Sequence, residues 1–260
     1  RSYQVKDSKA NHVANVALAS RKDVRDAVQA ARAAQPGWAG ASAYNRGQVL
    51  YRIAEMLEGR REQFVSEISS LTGKTKKQAD AEVSAAIDSW VWHAGWTDKI
   101  DSVAGSMNPV AGPYFNISTN QPTGVVGAFA PQGSALVGFV NTIAPAIVSG
   151  NTVVVVTSEN LSLPALTLGE VLATSDLPGG VVNILSGKEA ELSSWLVGHM
   201  DVSAVDLEGT SNPTELEISA ANTVKRVIRP DTYPREGAKG NLQHILDLME
   251  VKTVWHPKGH

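Results

Sequence analysis

An α/β fold built on a parallel sheet is predicted by three observations on the sequence. Short apolar runs at Val125–Ala130, Thr152–Val156 and Val181–Leu185 have strand length, and the second is wholly β-branched. Helical segments at Leu136–Val148 and Leu163–Thr174 lie between them. Strand–helix–strand alternation at this spacing makes right-handed crossovers, and so parallel strands covered by helices on both faces. The composition agrees: 43% hydrophobic and 19% charged residues over 260 positions describe a globular chain, long enough for one large domain or two modest ones.

Taken in order, the first third reads as helical. Ser20 with Asp23 is a capping-box start, after which Val24, Ala27, Val28 and Ala31 keep helical spacing. A second pattern carries Leu50, Ile53 and Leu57 and continues through Phe64, Ile68 and Leu71 until Gly73 stops it. A third runs from Thr75 to Trp96. Trp90, Trp92 and Trp96 give it apolar residues on more than one side, as a buried helix has, with a subunit contact as the other reading. Gly105–Pro113 is rich in turn formers, and Tyr114–Thr119 is a strand ending at an Asn120–Pro122 turn. Beyond the central alternation, Val202–Leu207 and Val224–Ile228 predict two more strands. Arg229–Gly240 is a polar joint, and the tail predicts a short helix, Leu242–Met249, and a strand, Val251–Trp255.

Composition removes several function classes. No window approaches the ~18 uninterrupted apolar residues of a membrane span. Twenty-three basic against 26 acidic residues, a net charge of −3 and no basic block leave no electrostatic footprint for nucleic acid. With no cysteine in the sequence, disulfides, thiolate chemistry and zinc–sulfur sites are all absent from it, which fits a reducing, cytoplasmic setting. The chain begins at Arg1 and not Met, so a trimmed or longer parent polypeptide is expected.

Motifs with a fixed chemistry are sparse. His12, His93, His199, His244, His256 and His260 are scattered without ligand spacing, which predicts surface or satisfied histidines and no metal site. Helical zinc-protease, nucleophile-elbow, phosphate-loop and dinucleotide-fingerprint patterns are all missing. Gly124 and Gly127 bracket a strand start and read as turn and close-packing glycines. Pattern alone therefore gives a fold and no task.

Longer segments are more specific. The run Gln121-Pro-Thr-Gly-Val-Val-Gly-Ala-Phe-Ala-Pro131 is followed by Ile143-Ala-Pro-Ala-Ile-Val-Ser-Gly-Asn-Thr-Val-Val-Val155 and Leu177-Pro-Gly-Gly-Val-Val-Asn-Ile-Leu-Ser-Gly187. With Ala27–Trp38, Leu71–Lys74, Ala94–Lys99 and the closing Met249-Glu-Val-Lys-Thr-Val-Trp255, these resemble the aldehyde dehydrogenase superfamily over nearly the whole chain. The resemblance implies a Rossmann-like sheet with flanking helices plus a small β oligomerisation element. It divides the chain into 1–112, the helical part of the Rossmann-like domain; 113–124, an oligomerisation hairpin; 125–235, the βαβ core; and 236–260, the C-terminal helix and oligomerisation strand.

The family's chemistry uses a cysteine thiolate that attacks the aldehyde, hydride transfer to NAD(P), a glutamate that activates water, and amide and asparagine donors for the oxyanion. Set against that pattern, no cysteine occurs, Gly133 takes the place of the oxyanion asparagine, and Pro230 stands near the place of the base. Between Val227 and the tail, where the family carries its catalytic domain, only the polar joint intervenes, so that domain is missing. For the cofactor, Glu159 is kept but Val156 replaces the ribose-binding lysine, Glu208 adds an anion near the pyrophosphate position, and Pro213 is expected to disturb the helix start facing it.

These departures predict a non-catalytic pseudoenzyme, resembling the degenerate second domain of family 16 aldehyde dehydrogenases. No cofactor is expected, with weak NAD binding as the alternative. Its role would be assembly, through interface residues Tyr114, Ile117, Val251, Thr253, Val254 and Trp255, beside a catalytic aldehyde dehydrogenase chain or domain, or another copy of itself, the plainer reading being that the two strands pair with each other. A weak dinucleotide-binding regulatory module is the alternative function. New chemistry in the old cleft would fall to Ser134, Ser158, Glu159 and Glu208, which have no evident histidine base beside them.

Overall fold

The computed structural model describes residues 1–237 and 240–259; His260 lies outside them. The chain opens not on a helix but on an antiparallel hairpin, β1 (Ser2–Lys6) and β2 (His12–Ala17). This corrects the all-helical reading of the first third. Each strand buries one main apolar anchor, Val5 or Val16, too little for an alternating pattern to show.

Four helices follow. In α1 (Arg21–Gly40) the Ser20–Asp23 capping box forms as predicted. The second pattern divides at Arg60 into α2 (Ala43–Gly59) and α3 (Arg61–Thr72), the latter closed by Gly73 in the left-handed region at φ 72°. A Thr75–Gln78 capping box starts α4 (Lys76–Ala94), whose Trp90 is fully buried while Trp92 and Trp96 are half-buried against the same core. A short α5 (Ile100–Ala104) leads to β3 (Ser106–Asn108), a strand inside the predicted loop.

The parallel sheet is the centre of the molecule. It comprises β5 (Val125–Phe129), β6 (Thr152–Val156), β7 (Val182–Leu185), β8 (Ala204–Asp206) and β9 (Arg226–Ile228), in the order β7-β6-β5-β8-β9. Between them run α6 (Val137–Val148), α7 (Ser162–Ala173), α8 (Glu189–Val197) and α9 (Pro213–Ala221). In β6, Val153 and Val155 join the core under α2, α4 and α6, while Val154 and Val156 join the core under α1 and α8. Both faces are thus covered, which is why the strand reads as an unbroken apolar run. Gly127 approaches α8 so closely that a Cβ would lie 3.0 Å from Leu196.

A second, three-stranded sheet, ordered β10-β4-β3, stands apart from this body. Its middle strand, β4 (Tyr114–Pro122), passes straight through the expected Asn120–Pro122 turn. The chain then bends at Gly124 (φ 131°) and enters the parallel sheet at Val125. The predicted hairpin of 113–124 is therefore corrected: β4 pairs with β3 before it and with β10 (Met249–Pro257) from the far end of the chain. Between β9 and β10 lie the polar joint and α10 (Leu242–Asp247).

Candidate functional site

Strand order reverses direction between β5 and β8, and the cleft at the carboxyl ends of an open α/β sheet at such a reversal is where ligands bind. A cavity of about 550 Å³ opens there, lined by Gln132, Glu159, Glu189, Glu208, Thr210 and Ser211, among others. Its floor is close-packed: a Cβ at Gly209 would sit 2.0 Å from the Ala130 carbonyl oxygen. Any larger residue there would force β5 and the β8–α9 loop apart.

The carboxylates of this region are used in sequence. Glu159 Oε1 accepts from the Glu189 N–H at 3.0 Å, so it caps α8 and not the helix that directly follows it. Glu189 Oε2 accepts from the Ser211 N–H at 3.2 Å and the Ser211 hydroxyl at 2.7 Å, holding the loop that opens α9. On the other face Glu82 Oε1 accepts from the Leu136 N–H at 2.9 Å just before α6, while Lys74 Nζ lies 2.7 Å from its other oxygen. Pro213 occupies the first turn of α9 and opens it, where its missing N–H costs nothing; this corrects the expected disturbance. Val156 ends β6 with its side chain in the core, not in the cleft.

Beside this cleft the polar joint closes a second cavity of about 490 Å³, lined by Gly133, Ser134, Glu208, Tyr233 and Arg235, among others. Arg235 reaches back to Asp206 at the end of β8 with Nη2 2.8 and 2.7 Å from the two carboxylate oxygens. His244 of α10 stacks on Tyr233 with ring centroids 4.5 Å apart and sets Nε2 3.3 Å from Asp206. Burial pushes the Asp206 carboxyl up, but Arg235 and His244 together outweigh it and hold the group below its usual range. Burial raises Glu208, against the pull of Arg235. Ser134 and Ser158 are held by Glu82 and the Gln132 carbonyl, and no histidine bonds to either among the described residues.

All six predicted interface residues are exposed, on two faces of one ribbon. Directly paired residues of antiparallel strands share a face. Trp255 and Thr253, opposite Asn116 and Ser118, therefore share theirs with Val251 and Tyr114, and the Tyr114 and Trp255 rings meet edge-on at 5.9 Å. Val254 lies opposite Ile117 on the reverse face, with Phe115 and Met107 near it in register. The outer edge of β10 has no strand partner among the described residues.

A dinucleotide tests this geometry. The described lining of the cleft carries the carboxylates Glu159, Glu189 and Glu208 and no lysine or arginine. The residues present do not fit a pyrophosphate. Sequence reasoning missed Glu189, Glu82 and the Asp206–Arg235–His244 group. An acid at the end of the apolar run Val202–Leu207 was the available signal for a buried partner.

Comparison with known proteins places the geometry. The model of the aldehyde dehydrogenase family matches residues 3–229. The chain is 34% identical over 212 residues to aldehyde dehydrogenase family 2 member B4 of Arabidopsis thaliana, covering 80% of this chain and 39% of that one. It is 33% identical to human retinal dehydrogenase 2, covering 83% and 42%. Among solved structures, an aldehyde dehydrogenase from Bacillus cereus in complex with NAD+ superposes with a TM-score of 0.82 at 26% identity, covering 87% of this chain and 47% of that one. PnpE in complex with nicotinamide adenine dinucleotide does so with the same values. The chain thus spans about two fifths of the length of the curated relatives it matches.

These matches overturn the expectation that the chain is no enzyme. That expectation rested on a cysteine absent from a chain that covers less than half of each of these relatives, and the relatives are themselves named as dehydrogenases. Side chains missing from a partial stretch decide nothing about catalysis. By its family model and its sheet alike, the chain belongs to the aldehyde dehydrogenase family.

Proposed function

We propose that this chain serves as the Rossmann-like, subunit-pairing part of an NAD(P)-dependent aldehyde-oxidising assembly. Its role in that assembly is structural: the parallel sheet supplies a rigid body, and the β10-β4-β3 ribbon supplies the joint. The partner is a catalytic aldehyde dehydrogenase chain or domain, or a second copy of this chain. The observation that carries this is the ribbon, which presents Ile117, Val254, Phe115 and Met107 on one face and Trp255, Val251 and Tyr114 on the other, all exposed. Paired apolar faces beside a free strand edge are a liability unless covered. Cytoplasmic placement belongs to the same proposal and is supported by the cysteine-free composition. Fractionation of the source cell tests it, a mitochondrial location being the outcome that overturns it.

The test is the native mass of the protein isolated from its source, with every co-purifying or covalently joined chain identified. A cysteine-bearing aldehyde dehydrogenase in fixed ratio supports the assembly, whereas a monomer without companion overturns it. A second reading, a weak dinucleotide-binding regulatory module, is favoured by the position of the cleft at the strand-order reversal. Titration with millimolar NAD+ decides it, since a heatless titration removes it.

A further inference from the structure

Helix N-termini gathered at the carboxyl end of a parallel sheet are the usual seat of a phosphate, because their free amides and aligned dipoles favour negative charge. In this chain a carboxylate already sits at or just before three of those N-termini. Glu82 takes the Leu136 amide before α6, Glu159 takes the first amide of α8, and Glu189 takes the Ser211 amide and hydroxyl before α9. Glu189 is central to the series, because its own backbone is capped by Glu159 while its side chain fills the next position along. It is only 6% exposed, and three contacts fix it: one to its N–H and two to its carboxylate. A phosphate entering here would have to displace a buried carboxylate and then sit beside it. Among the described residues no lysine or arginine lines the cleft. Lys188 turns to Glu191 at 3.9 Å, and Arg235 is engaged by Asp206.

We propose that Glu189 acts as an internal surrogate for a ligand phosphate, holding the loop that opens α9 and excluding phosphate-bearing ligands, dinucleotides among them, from the cleft. The exclusion is local to this chain's own sheet and independent of the assembly role. It deepens the second reading above by naming the residue that sets how weakly a dinucleotide binds.

The full chain and its Glu189→Gln variant are titrated calorimetrically with inorganic pyrophosphate, NAD+ and adenosine. Glutamine keeps an acceptor for Ser211 and removes the charge. The wild type is expected to bind pyrophosphate and NAD+ no tighter than about 1 mM, and the variant to gain about tenfold or more for pyrophosphate. Adenosine, which has no phosphate, gains nothing. Glu55→Gln, an exposed carboxylate of α2 that does not line the cleft, leaves all three unchanged. If the amide variant melts without cooperativity, Glu189→Ala, which removes charge and acceptor together, is measured instead. Submillimolar pyrophosphate binding by the wild type, or no gain in a folded variant, overturns the proposal. A gain for pyrophosphate without measurable NAD+ binding upholds it while removing the regulatory reading.

Discussion

Arg235 and Asp206 form an ion pair almost wholly out of water, with side chains 4% and 1% exposed. It ties the polar joint to the end of β8, so a segment with little regular structure is anchored at the centre of the sheet. Asn141 of α6 reinforces the anchor, accepting from Arg235 on its carbonyl and donating its amide to the Arg235 carbonyl.

Removing one partner of such a pair leaves a buried charge without compensation, which costs about 3–5 kcal/mol. Arg235→Met is therefore expected to lower the urea midpoint sharply. The double variant Arg235→Met/Asp206→Asn should recover part of the loss, because the orphaned charge goes too. A single-variant loss below about 1 kcal/mol would show the joint to be loosely attached.

Stability should fall with pH below the histidine range. Burial lowers His93 from 6.5 to about 4, and burial lowers His244 in the same direction against the pull of Asp206. The unfolded chain protonates both near their ordinary value, so it binds more protons than the fold, and stability is complete above that value. It is lost as pH drops toward 4, His93 contributing at most roughly 3 kcal/mol. Asp206, held low in the fold, adds a loss of the same sign below the usual carboxylate range. Urea midpoints across this window check the slope, and His93→Gln should flatten it; a flat wild-type profile refutes the assignment.

Gly209→Ala should destabilise the fold by about 1–3 kcal/mol, toward the upper end because the obstruction is backbone and cannot rotate away. The Ala130 carbonyl oxygen and carbon stand 2.0 and 2.6 Å from the added methyl carbon. Thermal melting tests this directly, and a shift within error would mean that the β5–α6 loop yields freely.

On the ribbon, Ile117→Lys with Val254→Lys places two charges opposite each other on one exposed face. Monomer stability should change by less than about 1 kcal/mol, as exposed substitutions usually do. Native mass should drop to the monomer if that face is the joint. Trp255→Ser tests the opposite face separately, and an assembly that survives both sets of changes does not use the ribbon.

The parts of the fold that were legible are those whose pattern has a single physical cause. Val153 to Val156 alternate between two cores, so the run had to be apolar throughout. Ser20 with Asp23, and Gly73 at positive φ, are local devices that need no tertiary context. The β1–β2 hairpin and β3 were hidden because strands lying mostly in water bury too few side chains to alternate. The cleft was half legible. Glu159 and Glu208 both line it, yet what they touch depends on pairings 30 and 23 residues apart. Glu82 and Glu189 resemble any surface glutamate of a helix until the fold closes over them.

The pairing of β10 with β4 also orders events in time. Met249 meets Pro122 at one end of a nine-residue register, while Asn151 bonds to both the Gly124 amide and the Leu248 carbonyl where the two strands enter the body. Everything from Val125 to Leu248 is therefore a closed excursion whose exit and return points touch. Closing a loop of that length costs entropy long before its contacts repay it, and distant pairings form slowly. The β10–β4 pairing is therefore expected to zip only after the parallel sheet has brought the two strands side by side, whereas the local β3–β4 pairing carries no such cost.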